Sequence, residues 1–162
     1  MKAISLWQPW ASLVVEGFKQ YETRSWATNY RGLLAVHATK TYPSEAREIM
    51  VDLIDDYEIV SQRFQGATLP TGAVLGIVRL VSCHPMYPEF IARQVDMEEA
   101  MGDWREGRHA WRLEVVERFA EPIPAKGAQG FWNWEDPRVA TPQDLFKVAG
   151  ASGLLKETQG AG

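Results

Sequence analysis

Gly17-Phe18-Lys19-Gln20-Tyr21-Glu22-Thr23-Arg24 sets a glycine and then a lysine, a glutamate and an arginine directly after an apolar stretch. Glycine suits the left-handed residue just past a helix end, and Pro9 suits the first helical position. The spacing therefore predicts a short helix carried by Trp10 to Glu16 and ended at Gly17, with a strand from Tyr21 to Trp26. Alternate side chains of an extended chain share a face. Glu22 and Arg24 then lie together, with Tyr21 and Thr23 opposite. Lys19 sits in the turn, where period alone does not aim it. Such a cluster is either a solvated strand edge with one ion pair of little worth or a set of groups gathered for chemistry.

Outward from that stretch, Leu33 to Ala38 is led in by Gly32, is too short for a helix and reads as a buried strand. Ala46, Ile49, Met50, Leu53, Ile54 and Tyr57 recur at helical spacing with acidic residues on the other face. Gly66 to Gly72 is a loop, and Ala73 to Ser82, uncharged except for Arg79, is the longest strand. Ile91 to Met101 reads as a second short helix. His109 to Phe119 alternates, with Trp111, Leu113 and Val115 on one face, and Pro122 and Pro124 are expected to end it. Gly127 to Trp134 is a glycine-punctuated aromatic segment. Thr141-Pro142 opens a last helical turn, and the end beyond Gly150 is expected to fray. Strands and helices mix without strict βαβ alternation, which favours an α+β fold, a small mixed β-barrel with helices packed around it. Residues 1–137 form the expected domain and 138–162 a partly flexible C-terminal extension.

The chain has 162 residues, 46% of them hydrophobic and 23% charged, the balance of an ordinary globular domain. No apolar run approaches a membrane span. Gln8 and Pro9 interrupt the first apolar stretch, so no signal-peptide plan is present and the expected location is cytoplasmic. A lone Cys83 excludes an internal disulfide and a multi-cysteine metal site. The net charge of −4 argues against gripping long nucleic acid by bulk electrostatics and leaves a small ligand or a short RNA element. Nothing in the sequence sets an oligomeric state.

Gly17, Lys19, Glu22 and Arg24 match the signature Gly-x-Lys-x-x-Glu-x-Arg, and in this the chain resembles the ASCH family of PUA-like β-barrels. The opening Ser5-Leu6-Trp7-Gln8-Pro9-Trp10-Ala11 is similar to that family's lead-in to its first helix. Gly72-Ala73-Val74-Leu75-Gly76, the stretch Gly107 to Trp111 and Gly130-Phe131-Trp132-Asn133-Trp134 extend the likeness over roughly residues 1 to 136. The resemblance implies a barrel with a cleft lined by the signature residues, an association with RNA, and, from some small bacterial members, hydrolysis of the acyl group of N4-acetylcytidine. In those enzymes a lysine, a threonine three positions later and a distal glutamate are the proposed catalytic group. Here Lys19 is present, Glu22 stands at the threonine position, and Thr23 is the nearest hydroxyl.

Chemistry orders these candidates. An acyl group taken by Lys19 itself would become a stable amide, so Lys19 is cast as base or oxyanion partner and water or the Thr23 hydroxyl as nucleophile. A lysine serves as base near neutral pH only when burial lowers its pKa. Glu22 is cast as orienting water or accepting the exocyclic N–H of cytosine. Arg24 either holds the pyrimidine carbonyl or pairs with Glu22. Trp26 is the preferred stacking residue among tryptophans that otherwise fill core, and Gln8 is a further substrate contact. Glu98 and Glu99 are candidates for the distal carboxylate by their order along the chain, the alternative for them being an exposed helix face. His37 reads as a satisfied buried histidine. His84 and His109 lack metal-ligand spacing, so no metal and no cofactor are expected. The expected function is an N4-acylcytidine amidohydrolase whose partner is a small modified cytidine nucleoside. The alternative is a non-catalytic reader of short RNA or a modified base, which should show a basic stripe where the enzyme needs none.

Overall fold

The computed structural model describes residues 1–139. Six strands form one sheet: β1 (Lys2–Leu6), β2 (Tyr21–Arg24), β3 (Gly32–Ala38), β4 (Ala73–Pro85), β5 (His109–Pro124) and β6 (Phe131–Asn133). Their order is β2-β5-β4-β3-β1-β6, with β1 parallel to β3 and the other neighbours antiparallel. Five helices join them: α1 (Trp10–Val15), α2 (Ser44–Asp56), α3 (Glu58–Phe64), α4 (Pro88–Ile91) and α5 (Asp96–Ala100).

The sheet curls into a half-barrel, and side chains fill its seam. Trp26, just past β2, meets Phe131 of β6 with ring centres 5.5 Å apart, although β2 and β6 are the two ends of the strand order. Trp111 stands edge-on to Trp26 at 4.5 Å and stacks on Phe131 at 5.4 Å. Three rings thus join the edges where no backbone ladder does.

Helix α1 lies between two apolar layers. Ala11, Val14 and Val15 pack on Leu34, Val36, Leu75, Val78 and Leu113 of the sheet. Leu13 turns the other way, onto Met50, Leu53, Val60, Phe64 and Met101. Close approach requires a glycine in β4, because a Cβ on Gly76 would stand 2.4 Å from the Glu117 carbonyl oxygen and 3.3 Å from Val15 Cγ1. The opposite face of the sheet carries a smaller cluster of Ala3, Ala35, Val74, Ile77, Phe119 and Trp134.

Several expectations change. β1 was absent from the sequence reading; its five residues gain strand character from β3 and β6, residues remote in sequence. The helix expected through Tyr57 stops at Asp56 and resumes as α3 after an extended Tyr57 (φ −126°, ψ 107°). Asp55 and Asp56 set negative charge at the helix's negative end, which disfavours continuation. The helix expected over 91–101 is not continuous: α4, opened by Pro88, ends at Ile91, and α5, with an acidic first turn, spans only Asp96–Ala100. β5 runs through Pro122 and Pro124. Only β4 pairs with it there, so the missing N–H groups cost no second ladder. Val115 stays in register with Leu113, opposite Val78, but it lies beside the Gly17 turn at the end of α1 and is exposed. The turn expected at Thr141-Pro142 lies outside the described residues.

Candidate functional site

Helix α1 ends as its composition requires: Gly17 has φ +82°, and the Lys19 N–H donates to the Leu13 carbonyl at 3.0 Å. That turn drives Lys19 inward to 2% exposure, where its Nζ has no hydrogen-bond partner among the described residues. Burial pushes the amine below its ordinary value near 10.5. Glu22 and Glu98 pull it back up, and Arg24 adds to the lowering. The net result is an amine that gives up its proton more readily than an ordinary lysine.

Strand β2 supplies two charged neighbours of Lys19. Glu22 and Arg24 share a face as strand period predicts, with Arg24 Nε 3.0 Å from Glu22 Oε1. The N–H is not aimed at the carboxylate, so the contact is an ion pair without a hydrogen bond. Glu98 arrives on α5 and is buried. Its carboxylate accepts the backbone N–H of Gln20 at 2.9 Å and of Tyr21 at 3.0 Å. Trp104 fixes α5 in turn by donating Nε1–H to the Glu98 carbonyl at 2.9 Å. Glu98 therefore clamps the turn that holds Lys19 and covers donors that an edge strand would leave open. Order along the chain nominated Glu98, but nothing local in the sequence showed its clamp, which spans nearly eighty positions.

The other candidates separate from this cluster. Thr23 points to the other face of β2, where its hydroxyl accepts the Asp103 N–H at 3.1 Å. Gln8, expected as a substrate contact, is fully buried and internally bonded. It donates to Ser12 Oγ and the Pro70 carbonyl and accepts the Ser12 N–H, so it caps the first turn of α1. Glu99 is exposed, the outcome expected of a helix face. Trp26 is 38% exposed with one edge against Trp111 and Phe131. His37 is satisfied as expected: Nε2–H donates to the Ala125 carbonyl at 2.9 Å, and Nδ1 faces Ser5 Oγ at 3.1 Å. His84 contacts Ser82 Oγ and stacks on Phe90. No group of three metal-binding side chains occurs among the described residues.

Four arginines gather around β2 without forming a free basic stripe. Arg24 pairs with Glu22, and Arg105 and Arg108 share Asp103. Arg112 bonds Gln20 and covers the Tyr21 ring. Arg31 is engaged by local carbonyls, and Arg79 is exposed on β4. Two surface concavities, about 250 and 510 Å³, lie beside α3 and α2, and neither is lined by Lys19, Glu22 or Arg24. The chemistry of the side chains, not the size of a hollow, singles out the Lys19 cluster. No helix among the described residues is long and apolar enough to cross a membrane.

Comparison with known proteins agrees with the resemblance. The ASCH domain family matches residues 4–123. Activating signal cointegrator 1 of Homo sapiens is 37% identical over 92 residues, which covers 49% of this chain and 14% of that protein. Activating signal cointegrator 1 of Mus musculus is 35% identical over 86 residues, again 49% and 14%. This chain thus corresponds to a small part of the curated relatives it matches. The crystal structure of ASCH from Zymomonas mobilis superposes with a TM-score of 0.50 at 16% identity, covering 92% of this chain and 93% of that one, a likeness of fold alone. The curled six-stranded sheet with its outer helices is the PUA-like fold associated with RNA binding, and the chain belongs to the ASCH domain family.

Proposed function

We propose that the Lys19 cluster receives a cytosine-type base and hydrolyses an acyl group from its N4. The observation that carries this reading is the Lys19 amine, buried and without a hydrogen-bond partner in the field of two carboxylates. An unpaired buried amine costs stability, and such groups concentrate at working sites. Its lowered pKa lets a neutral amine take a proton from water, which attacks the acyl carbon. Glu22 offers an acceptor to the N4–H, and Arg24, with one edge on Glu22, has further N–H groups for the pyrimidine carbonyl. Water is the nucleophile in this scheme because the Thr23 hydroxyl is engaged by Asp103. The pairing of Arg24, Arg105 and Arg108 with carboxylates favours a small uncharged nucleoside over a polyphosphate chain.

An ultraviolet assay with N4-acetylcytidine tests it. Conversion to cytidine by the parent, lost in Lys19→Met and Glu22→Gln, is the expected result. No conversion at high protein concentration removes the hydrolase. A second reading, recognition of short RNA without chemistry, is favoured by the partly exposed Trp26 ring. It expects RNA to quench tryptophan fluorescence in the parent and not in Trp26→Ala, with no product formed.

A further inference from the structure

A lysine amine relieved of its proton is a nucleophile as well as a base. Toward an amide that nucleophilicity is unproductive, because acyl transfer to nitrogen gives another amide. Toward an aldehyde the addition is fast and reversible. We infer that Lys19 captures the aldehyde of an opened nucleoside sugar, as presented by an abasic site in DNA or RNA, as an imine. This rests on the reading of the Lys19 cluster as a site that receives a nucleoside, and does not need the cluster to cleave an amide.

Three observations support the inference. Lys19 Nζ is the orphaned donor of a side chain only 2% exposed, so no bond must be broken before it reacts. Glu22, whose charge acts on the Lys19 amine, has its side chain 12% exposed, an acid–base group for the proton transfers of imine formation. Arg24, 25% exposed beside it, has N–H groups for a sugar hydroxyl oxygen. An abasic sugar lacks its base and needs less room than a nucleoside beside a lysine side chain only 2% exposed.

The step balances without an oxidant or reductant. The Nζ lone pair adds to the C1′ carbonyl carbon, and the carbonyl oxygen takes up a proton. Glu22 removes a proton from the nitrogen and returns it to the departing hydroxyl. One C=N bond forms, and one water molecule leaves.

Trapping tests this directly. The protein is mixed near neutral pH with short single-stranded oligonucleotides carrying one abasic site, DNA in one arm and RNA in the other. Sodium borohydride then fixes any imine, and mass spectrometry maps it. The adduct is expected on Lys19 in about tenfold or greater excess over the exposed Lys40 and Lys126. It should vanish in Lys19→Met, with circular dichroism confirming that this variant is folded. An adduct in only one arm assigns the source of the sugar. No adduct, or adducts shared evenly with Lys40 and Lys126, overturns the inference. Hydrolysis of N4-acetylcytidine by the same preparation without a Lys19 adduct sinks the imine and leaves the hydrolase standing; an adduct without hydrolysis does the reverse.

Discussion

Lys19 brings a measurable energetic cost along with its chemistry. Its amine has a lower pKa folded than the ordinary 10.5, so between those two values the unfolded chain binds more protons. Stability therefore rises with pH across that window, and below it the full cost of burying the charge is present. Replacement by an apolar side chain of similar length should relieve this. Lys19→Met is expected to gain about 1–3 kcal/mol near neutral pH, the scale of an unsatisfied buried polar group. The gain should fade as pH approaches 10.5, which urea melts at several pH values would show. A loss of stability at neutral pH would mean that Glu22 and Glu98 hold the charge more strongly than burial expels it. His37 acts with the same sense at lower pH. Burial lowers its pKa below the ordinary 6.5, outweighing the Ala125 hydrogen bond, so stability is intact above 6.5 and declines as pH falls from there toward its folded value.

Two close contacts between elements decide how β2 and α1 are placed. Glu98 on α5 accepts two backbone N–H groups from the turn leading into β2, and no other described side chain takes them. Glu98→Ala is expected to cost about 1–3 kcal/mol, from two orphaned, part-buried donors. Hydrogen exchange should quicken at Gln20 and Tyr21 in particular; slow exchange there would show that the clamp is dispensable. Gly76 marks the other contact, where α1 and β5 both press on β4. Its Cβ would meet backbone at 2.4 Å, which side-chain rearrangement cannot relieve. Gly76→Ala should therefore lower thermal stability by about 1–3 kcal/mol or more, while the same change at the open Gly107 would be strained only by its φ of +82°.

The whole molecule is a sheet whose ends are joined by aromatic rings. Trp26, Trp111 and Phe131 connect β2 to β6 across the seam, so Phe131→Ala should cost about 3 kcal/mol and release Trp26, shifting its fluorescence to the red. An unchanged spectrum would mean that Phe131 does not hold Trp26 in place. Charge also belongs to this scale. With a net charge of −4 and most arginines near β2 already paired, any affinity for short RNA should weaken only gently with salt, by the slope of about one or two phosphate contacts. A steep slope would require a basic surface that the described residues do not display.

Much of this was legible locally. Pro9 and Gly17 bracket α1, the period of two puts Glu22 beside Arg24, and the helical spacing from Ala46 to Tyr57 marks the face that α2 buries. These features depend on neighbours within a turn or a strand, so the sequence determined them by itself. Tertiary structure alone decided the rest. β1 is a strand because β3 and β6 flank it, and Gln8 is a cap because Pro70 lies within reach. Thr23, set opposite Glu22 by strand period, finds its partner only in the remote Asp103 N–H, and of two adjacent glutamates only Glu98 turns inward. Above all, the direction of Lys19 is set by a turn packed beneath α5, and only that burial makes an ordinary lysine into an amine ready to lose its proton.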